Sequence, residues 1–380
     1  MRSAQIQLTT HVTGMLAVAL ELSKKRWKVA ISDGRRDNPS LHTVDGPTPA
    51  ERIQAVVNKV RQQMQQWGLD ETCPISVVFE AGQDGLWIAH AMRKLGYQAL
   101  PIDPASIPVP RKSRRAKTDR LDAIKLVNSL LGWLRGEKDR MRVLHIPTPE
   151  EEDQRQLVRS RGDLLRDVCR FRDRITKLLS SVGCWAVVDP LSDVWLEPGA
   201  LRDYEGKPLK PGLLTRLRHD REEFLLAVRL KQQVEMDMRE SLPEPQKEQI
   251  RHLQQLKGIG EVGATRLVLE LFWRHFDNRR EVGACVGLVP QPFDSGESRV
   301  DQGISKQGNR RVRALLVEMA WCWLRYQPNS ELSRWFVLRT QGGGKRGRRV
   351  MIVAVARKLV IALWRLLELG EIPAGAVCKP

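Results

Sequence analysis

The sequence predicts an α/β amino-terminal region, a mixed sheet flanked by helices, followed by long helices and a mainly helical carboxy-terminal region. Three observations carry this expectation. Short apolar runs within the first 102 residues are separated by turn residues and alternate with helical patterns. Two long charged stretches, 150–182 and 214–241, keep apolar residues at helical spacing. The last third reads as helices around glycine turns, with Trp321, Trp323, Trp335 and Trp364 at helical positions. The expected division is 1–145, 146–241 and 242–380.

Element by element, MLAVALEL (Met15–Leu22) is a short apolar run of the buried-strand kind. WKVAISD (Trp27–Asp33) follows, and His42–Asp45 is a third short candidate; Gly14 and the Asp33-Gly34 turn punctuate them. Together they predict an antiparallel meander. Thr48-Pro49-Ala50-Glu51 has the form of a capping box with proline at the first helical position, opening a helix to about Trp67. ISVVF (Ile75–Phe79) is a buried strand, Gly85–Leu95 a helix ended by Gly96, and Tyr97–Ile102 another strand. The order β-β-β-α-β-α-β fits a mixed sheet with helices on its faces. After Pro108-Val109-Pro110 comes a basic run, with Thr118–Leu134 helical beyond it and His145–Pro149 as a linker. The helix at 150–182 carries Leu157, Leu164, Val168, Phe171, Ile175 and Leu178 at helical spacing. Residues 186–213 are rich in proline and glycine, and a second long helix follows to Ser241. Two long helices around a loop suggest a coiled-coil arm; an ordinary helical bundle has the same pattern.

Composition narrows the partners. The 380 residues hold 63 Lys and Arg against 45 Asp and Glu, a formal charge of +18. From residue 242 onward the counts are 23 and 13, so more than half of the excess sits in the last third. A surface this basic points first to nucleic acid and second to an acidic membrane. The membrane reading is weak. The apolar stretch Val350–Leu367 is broken by Arg357, Lys358 and Arg365 and reads as an amphipathic helix. Met1–Thr10 is polar and has no signal-peptide core, so the expected place is the cytoplasm, the prokaryotic cytosol or nucleoid. Cys73, Cys169, Cys184, Cys285, Cys322 and Cys378 form no C-x-x-C pair, which argues against zinc and against a disulfide framework.

Three constellations could carry chemistry. The first is four carboxylates: Glu21 after the first strand, Glu80 ending ISVVF, and Asp119 with Asp122 on one side of a helix. Clustered carboxylates are hard oxygen ligands for magnesium, and paired ions suit phosphodiester transfer. Ordinary solvated acids at strand and helix ends are the alternative. The cationic run before them, with Arg111, Lys112, Arg114, Arg115 and Lys117, is suited to holding a phosphate backbone. The second constellation is LKGIGEVGA (Leu256–Ala264), where Gly258 and Gly260 permit a tight turn whose N–H groups can meet a phosphate, the helix-hairpin-helix pattern. A plain glycine turn between core helices is its alternative. The third is GLVP (Gly287–Pro290), then Asp294-Ser295-Gly296 in a loop, then GISKQGNRRVR (Gly303–Arg313). Lys306, Arg310, Arg311 and Arg313 could bind a scissile phosphate beside Ser295. Ser295 could equally be a turn residue. Ser305 is a rival nucleophile, or Ser305-Lys306 is a helix cap. GGGKRGRR (Gly342–Arg349) lacks the spacing of a phosphate loop and reads as a flexible basic loop against nucleic-acid backbone.

In their order, AVALELSKKRWKVAISDG, VVFEAG with AKTDRLDA, and the series LKGIGEVGA, GLVP, DSG and GISKQGNRRVR resemble the DEDD transposases of the insertion sequence 110 family. The resemblance spans residues 15 to about 320. It implies a RuvC-like domain of RNase H fold, a coiled-coil connector and a carboxy-terminal transposase domain. It assigns metal binding to Glu21, Glu80, Asp119 and Asp122, and the nucleophile to Ser295. It further implies magnesium, with manganese as a substitute, a phosphoserine link to donor and target DNA, and carboxylates and serine from different subunits of a homo-oligomer, a dimer or tetramer. A structured guide RNA is another implied partner. The family's first acid is usually Asp, and this chain has Glu21, one methylene longer. The expected function is therefore strand cleavage and rejoining by a transposase. A junction-resolving nuclease using the acids alone, or a non-catalytic nucleic-acid-binding protein, would share much of this sequence. A tyrosine recombinase fits less well, because Tyr97, Tyr204 and Tyr326 have no surrounding Arg/His set.

Overall fold

The computed structural model describes residues 14–82, 86–107, 118–295 and 298–379. The predicted basic run at Arg111, Lys112, Arg114, Arg115 and Lys117 lies outside them. The chain forms two compact units, Met1–Ile146 and Pro147–Pro380.

In the first unit, β1 (Leu16–Glu21), β2 (Trp27–Ser32), β3 (Ser40–Val44), β4 (Ile75–Glu80) and β5 (Gln98–Ile102) form one sheet in the order β3-β2-β1-β4-β5. The first three strands are the expected antiparallel meander, and β4 and β5 run parallel to β1. The continuous apolar run of β1 follows from its place, since Leu16–Leu20 are all fully buried with helices on both faces. On one face, α1 (Pro49–Trp67) and α2 (Trp87–Lys94) bring Val56, Val60, Ile88 and Met92 against Leu16, Val18, Leu20, Val77 and Phe79. On the other, α3 (Asp119–Leu134) lays Ala123, Leu126, Val127 and Leu130 against Ala17, Ala19, Ala30 and Val78. The three alanines let the helix approach closely.

Helix α1 starts where expected. The Thr48 hydroxyl accepts from the Glu51 N–H at 3.2 Å, Pro49 opens the helix, and Gly68 closes it in the left-handed region. The reciprocal capping box forms at the next long helix, where Thr148 accepts from the Glu151 N–H and the Glu151 carboxylate accepts from the Thr148 N–H at 2.8 Å.

The second unit begins with α4 (Pro149–Ser181) and α5 (Pro211–Ser241), of 33 and 31 residues. A helix of that length spans about 50 Å. They run antiparallel. Arg161 meets Glu235 at 2.7 Å, Phe171 packs with Phe224 and Ala227, and farther along Arg174 pairs with Asp220 and Glu223. At the far end, Trp195, Leu196, Leu201 and Leu209 fold back onto Ile175, Leu179 and Leu217.

The remainder is mainly helical: α6 (Glu244–Gln254), α7 (Glu261–Glu270), α8 (Arg279–Cys285), α9 (Arg310–Tyr326), α10 (Glu331–Thr340) and α11 (Lys345–Leu369). Between α8 and α9 stands a two-stranded ribbon, β6 (Pro290–Ser295) and β7 (Ser298–Ile304). The sequence did not predict the ribbon. Helix α11 buries Ile352, Val355, Ala356, Leu359, Val360, Leu363 and Leu366, a single helical face. Among the described residues no helix is long and apolar enough to cross a membrane. One expectation is corrected here: Lys345–Arg349 form the first turns of α11 and not a flexible loop, because Gly344 is already its N-cap.

Candidate active site

Register places the first two acids side by side. Strands β1 and β4 are parallel neighbours with Leu20 opposite Phe79, so Glu21 and Glu80 are the next residues at the same edge. Neighbouring strands lie about 4.8 Å apart. Alternation sends both side chains to the same face. Glu21 follows Ala17 and Ala19, and Glu80 follows Val78, all three in the core under α3. Both carboxylates are half-buried.

Helix α3 carries the other two acids to that edge. Its carboxy-terminal part lies near the start of β1, because a Cβ on Gly34, just beyond β2, would sit 3.4 Å from Leu131 Cδ2. Its first turn, with Asp119 and Asp122, therefore points toward the strand ends where Glu21 and Glu80 stand. Thr118 caps that turn by accepting from the Leu121 N–H at 3.3 Å, and acids in a first turn suit the helix dipole. Asp119 is exposed, while Asp122 is half-buried and its carboxylate accepts from Lys125 Nζ at 2.8 Å. Among the described residues no three His, Cys, Asp or Glu side chains come together as a metal-binding group. The fold thus sets Glu21 beside Glu80 at the ends of two central strands, on the face where α3 begins, and closes no cage of acids among the described residues. Asp103, the residue after β5, is a further half-buried acid at this end of the sheet. The signal for it was the same as for Glu80, an acid directly after an apolar strand.

Ser295 is the last residue of β6, opposite Ser298 in the ribbon, with Asp294 opposite Arg299. The expected loop around Ser295 is therefore a strand end, and Gly296 lies outside the described residues. A two-stranded ribbon holds its shape poorly by itself. This one is clamped at its base. The N–H of Ser305 donates to Val289 O at 2.9 Å, that of Lys306 to Gly287 O at 3.2 Å, and that of Asn309 to Cys285 O at 2.9 Å. The two segments approach so closely that a Cβ on Gly287 would fall 1.9 Å from Gln307 O, and one on Gly308 2.1 Å from Cys285 O. Both glycines have positive φ, as does Lys306 at 57°, a conformation that costs a non-glycine residue energy. The motifs GLVP and GISKQGN are thus two halves of one backbone clamp.

Arg313 completes it. Its Nη1 donates to Val286 O at 3.0 Å and to Gln307 O at 3.1 Å, and burial lowers its affinity for a proton. Lys306, Arg310 and Arg311 are exposed beside it. Ser305-Lys306 is not a helix cap: the cap of α9 is Asn309, whose side chain accepts from the N–H groups of Arg311 and Val312 at 3.0 and 3.2 Å. The amide of Asn309 in turn donates to the buried Glu270 carboxylate at 3.0 Å, and the Nε atoms of Arg155 and Arg159 lie 3.9 and 3.8 Å from that carboxylate. Glu270 therefore ties the start of α4 to the start of α9. Sequence reasoning missed it, although a lone acid inside LVLELF was visible.

The LKGIGEVGA segment joins α6 to α7. Gly258 has φ +87°, which favours glycine, and a Cβ there would press on Tyr326 Cβ at 3.2 Å. Gly260 is the N-cap of α7, with no side chain capping the helix. Lys379 Nζ donates to Ile259 O at 2.8 Å, and Gln327 Nε2 donates to Lys257 O at 3.0 Å, which steadies the turn.

The chain is similar in sequence to known proteins along most of its length. Residues 250–333 match the family model described as transposase IS116/IS110/IS902 family, and residues 46–183 match a DEDD transposase model of IS110 type. The chain is 38% identical to a putative transposase, y4rJ, of Sinorhizobium fredii, over 96% of this chain and 95% of that protein. It is 27% identical to the transposase for insertion sequence element IS1328 of Yersinia enterocolitica, covering 79% of this chain and 86% of that one. With the transposase for insertion sequence element IS1111A of Coxiella burnetii the identity is 28%, over 78% of each.

Proposed function

The chain belongs to the IS116/IS110/IS902 family of transposases, and from that premise we propose a serine-nucleophile mechanism assisted by the acids of the amino-terminal sheet. The protein is a DNA transposase, and DNA is its substrate. The observation that carries the mechanistic reading is the register of β1 against β4, which sets Glu21 beside Glu80 on the face where α3 begins.

The donor set there is all carboxylate oxygen, which suits a hard divalent ion such as magnesium, or manganese in its place. The Lys125 ammonium group held by Asp122 marks a position where a cation is already favoured. Glu21, Glu80 and Asp122, with Asp119 beside them, would hold the ion, whose chemistry is to neutralise charge on the phosphate oxygens. Ser295 supplies the nucleophile. Its Oγ attacks phosphorus, the P–O3′ bond breaks, and the serine proton ends on the departing 3′-hydroxyl. The 5′-phosphate stays on serine until another 3′-hydroxyl reverses the step on a new partner. Lys306, Arg310 and Arg311 neutralise the backbone, and Arg313 holds the clamp that aims the ribbon. The same reading takes the first unit as a RuvC-like RNase H fold, α4 and α5 as a coiled-coil connector, and the α6–α7 turn as a helix-hairpin-helix against phosphate. It also takes the active site as shared between subunits of a dimer or tetramer, with a structured RNA selecting donor and target DNA.

Trapping the covalent protein–DNA adduct on a nicked donor substrate tests the reading. The adduct forms in wild type and in Ser305→Ala and disappears in Ser295→Ala. An adduct that persists in Ser295→Ala, or cleavage by wild type with no adduct at all, overturns it and favours water as the nucleophile.

A further inference from the structure

Within the second unit an open groove of about 1210 Å³ runs between the base of the ribbon and helix α11. Pockets for small molecules occupy roughly 300–1,000 Å³. Arg279, Arg280, Lys306, Arg357, Lys358 and Arg365 line it against two acids, Glu331 and Glu371. Glu371 is set 3.6 Å from Arg365, so the rest of the rim stays strongly positive. The wall beneath is apolar, built from Ile304, Trp335, Val353 and Ile361, and Lys358 Nζ lies 4.8 Å over the Trp335 ring. Arg279, Arg280, Lys306 and Lys358 are exposed, and Trp335 is half-buried.

A cationic rim over an aromatic and aliphatic wall matches an unpaired strand, whose phosphates meet the cations while its bases lie on the apolar surface. A duplex keeps its bases inside and would leave the wall in water. Single-stranded RNA offers the same phosphates and bases, and the DNA chemistry of the family favours DNA over it. A second copy of this chain carries +18 itself and has no excess of acid to offer. We propose that this groove binds a single-stranded DNA segment, with bases against Trp335 and the aliphatic wall and phosphates on Arg279, Arg280, Lys306 and Lys358. The groove stands whichever serine attacks, since it rests on its own lining and on the DNA chemistry of the family.

Fluorescence anisotropy of a labelled oligothymidylate with the full chain tests it, using Arg280→Gln/Lys358→Gln and Trp335→Leu. The double variant loses about tenfold in affinity at low salt, and the slope of log K against log salt falls by about 0.7 for each contact removed. Trp335→Leu loses about fivefold or more with the slope unchanged. Arg280→Lys/Lys358→Arg binds as wild type and guards against misfolding as the cause. A halogenated deoxyuridine oligonucleotide also photo-cross-links wild type at Trp335. Single-strand affinity unchanged in both variants, with the cross-link elsewhere, overturns the proposal. So does a larger loss for oligouridylate than for oligothymidylate, which would make it an RNA site. A loss of self-association in sedimentation overturns it in favour of a protein interface.

Discussion

Glu21 and Glu80 end strands that are buried on both faces, whereas Ser295 ends a two-stranded ribbon anchored at its base. The acids are held by many redundant apolar contacts: Leu16–Leu20, Val77, Val78 and Phe79 are fully buried, and helices cover each side. Losing one carboxylate at the edge changes charge and leaves that core intact. The ribbon depends instead on a few backbone bonds between residues 285–289 and 305–309, made possible by two glycines. A small change there, many residues from Ser295, shifts the end of the ribbon, and with it the nucleophile of the proposed mechanism. On the proposed mechanism, one region separates chemistry from stability, and the other couples them.

Four variants break or sharpen this contrast, and the first has the largest effect. Ser295→Ala abolishes strand exchange in a plasmid recombination assay without shifting the thermal midpoint, because the clamp is built from backbone at residues 285–289 and 305–309. Glu80→Gln lowers the exchange rate by about 100-fold or more, again with the midpoint unchanged; a large fall in midpoint would show that the carboxylate belongs to the core. Gly287→Ala behaves differently. A Cβ placed 1.9 Å from Gln307 O at φ +65° forces the clamp apart, costing about 3 kcal/mol in denaturant unfolding and most of the activity together. Full activity in that variant would mean that the ribbon needs no clamp. Thr148→Ala, which removes the capping box of α4, costs about 1 kcal/mol and leaves exchange by the folded protein as it was.

The legible parts of the sequence were those governed by local chemistry. The strands of the meander, the Thr48 start of α1 and the two long helices follow from apolar spacing and capping, and the structure has them within a few residues, whereas the Thr148 cap lay in a stretch that reads as a linker. The sheet edge could be read because acids directly after apolar strands must emerge where the strands stop. Features that arise from long-range contact could not be read. Asp294-Ser295 looked like a loop because proline, glycine and polar residues dominate there, yet pairing with residues 298–304 makes a strand. Lys306 carries no local sign of its positive φ; it lies in the clamp, with its N–H bonded to Gly287 O. Lys345–Arg349 read as a loop because three glycines precede them, whereas the burial of Ile352 and Val355 below extends the helix up to Gly344. Glu270 was passed over because its partners, Arg155, Arg159 and Asn309, are distant in the chain.

That the acids of the sheet and the serine of the ribbon act on one phosphodiester is tested most directly by the rate of Ser295–DNA adduct formation in Glu80→Gln, measured by quench and denaturing gel over a range of magnesium. The expected rate is at least about 100-fold below wild type at every magnesium concentration, with the few adducts that form still mapping to Ser295 by peptide mass. Adduct formation in Glu80→Gln at the wild-type rate would show that the carboxylates serve another step, and the shared site would fall.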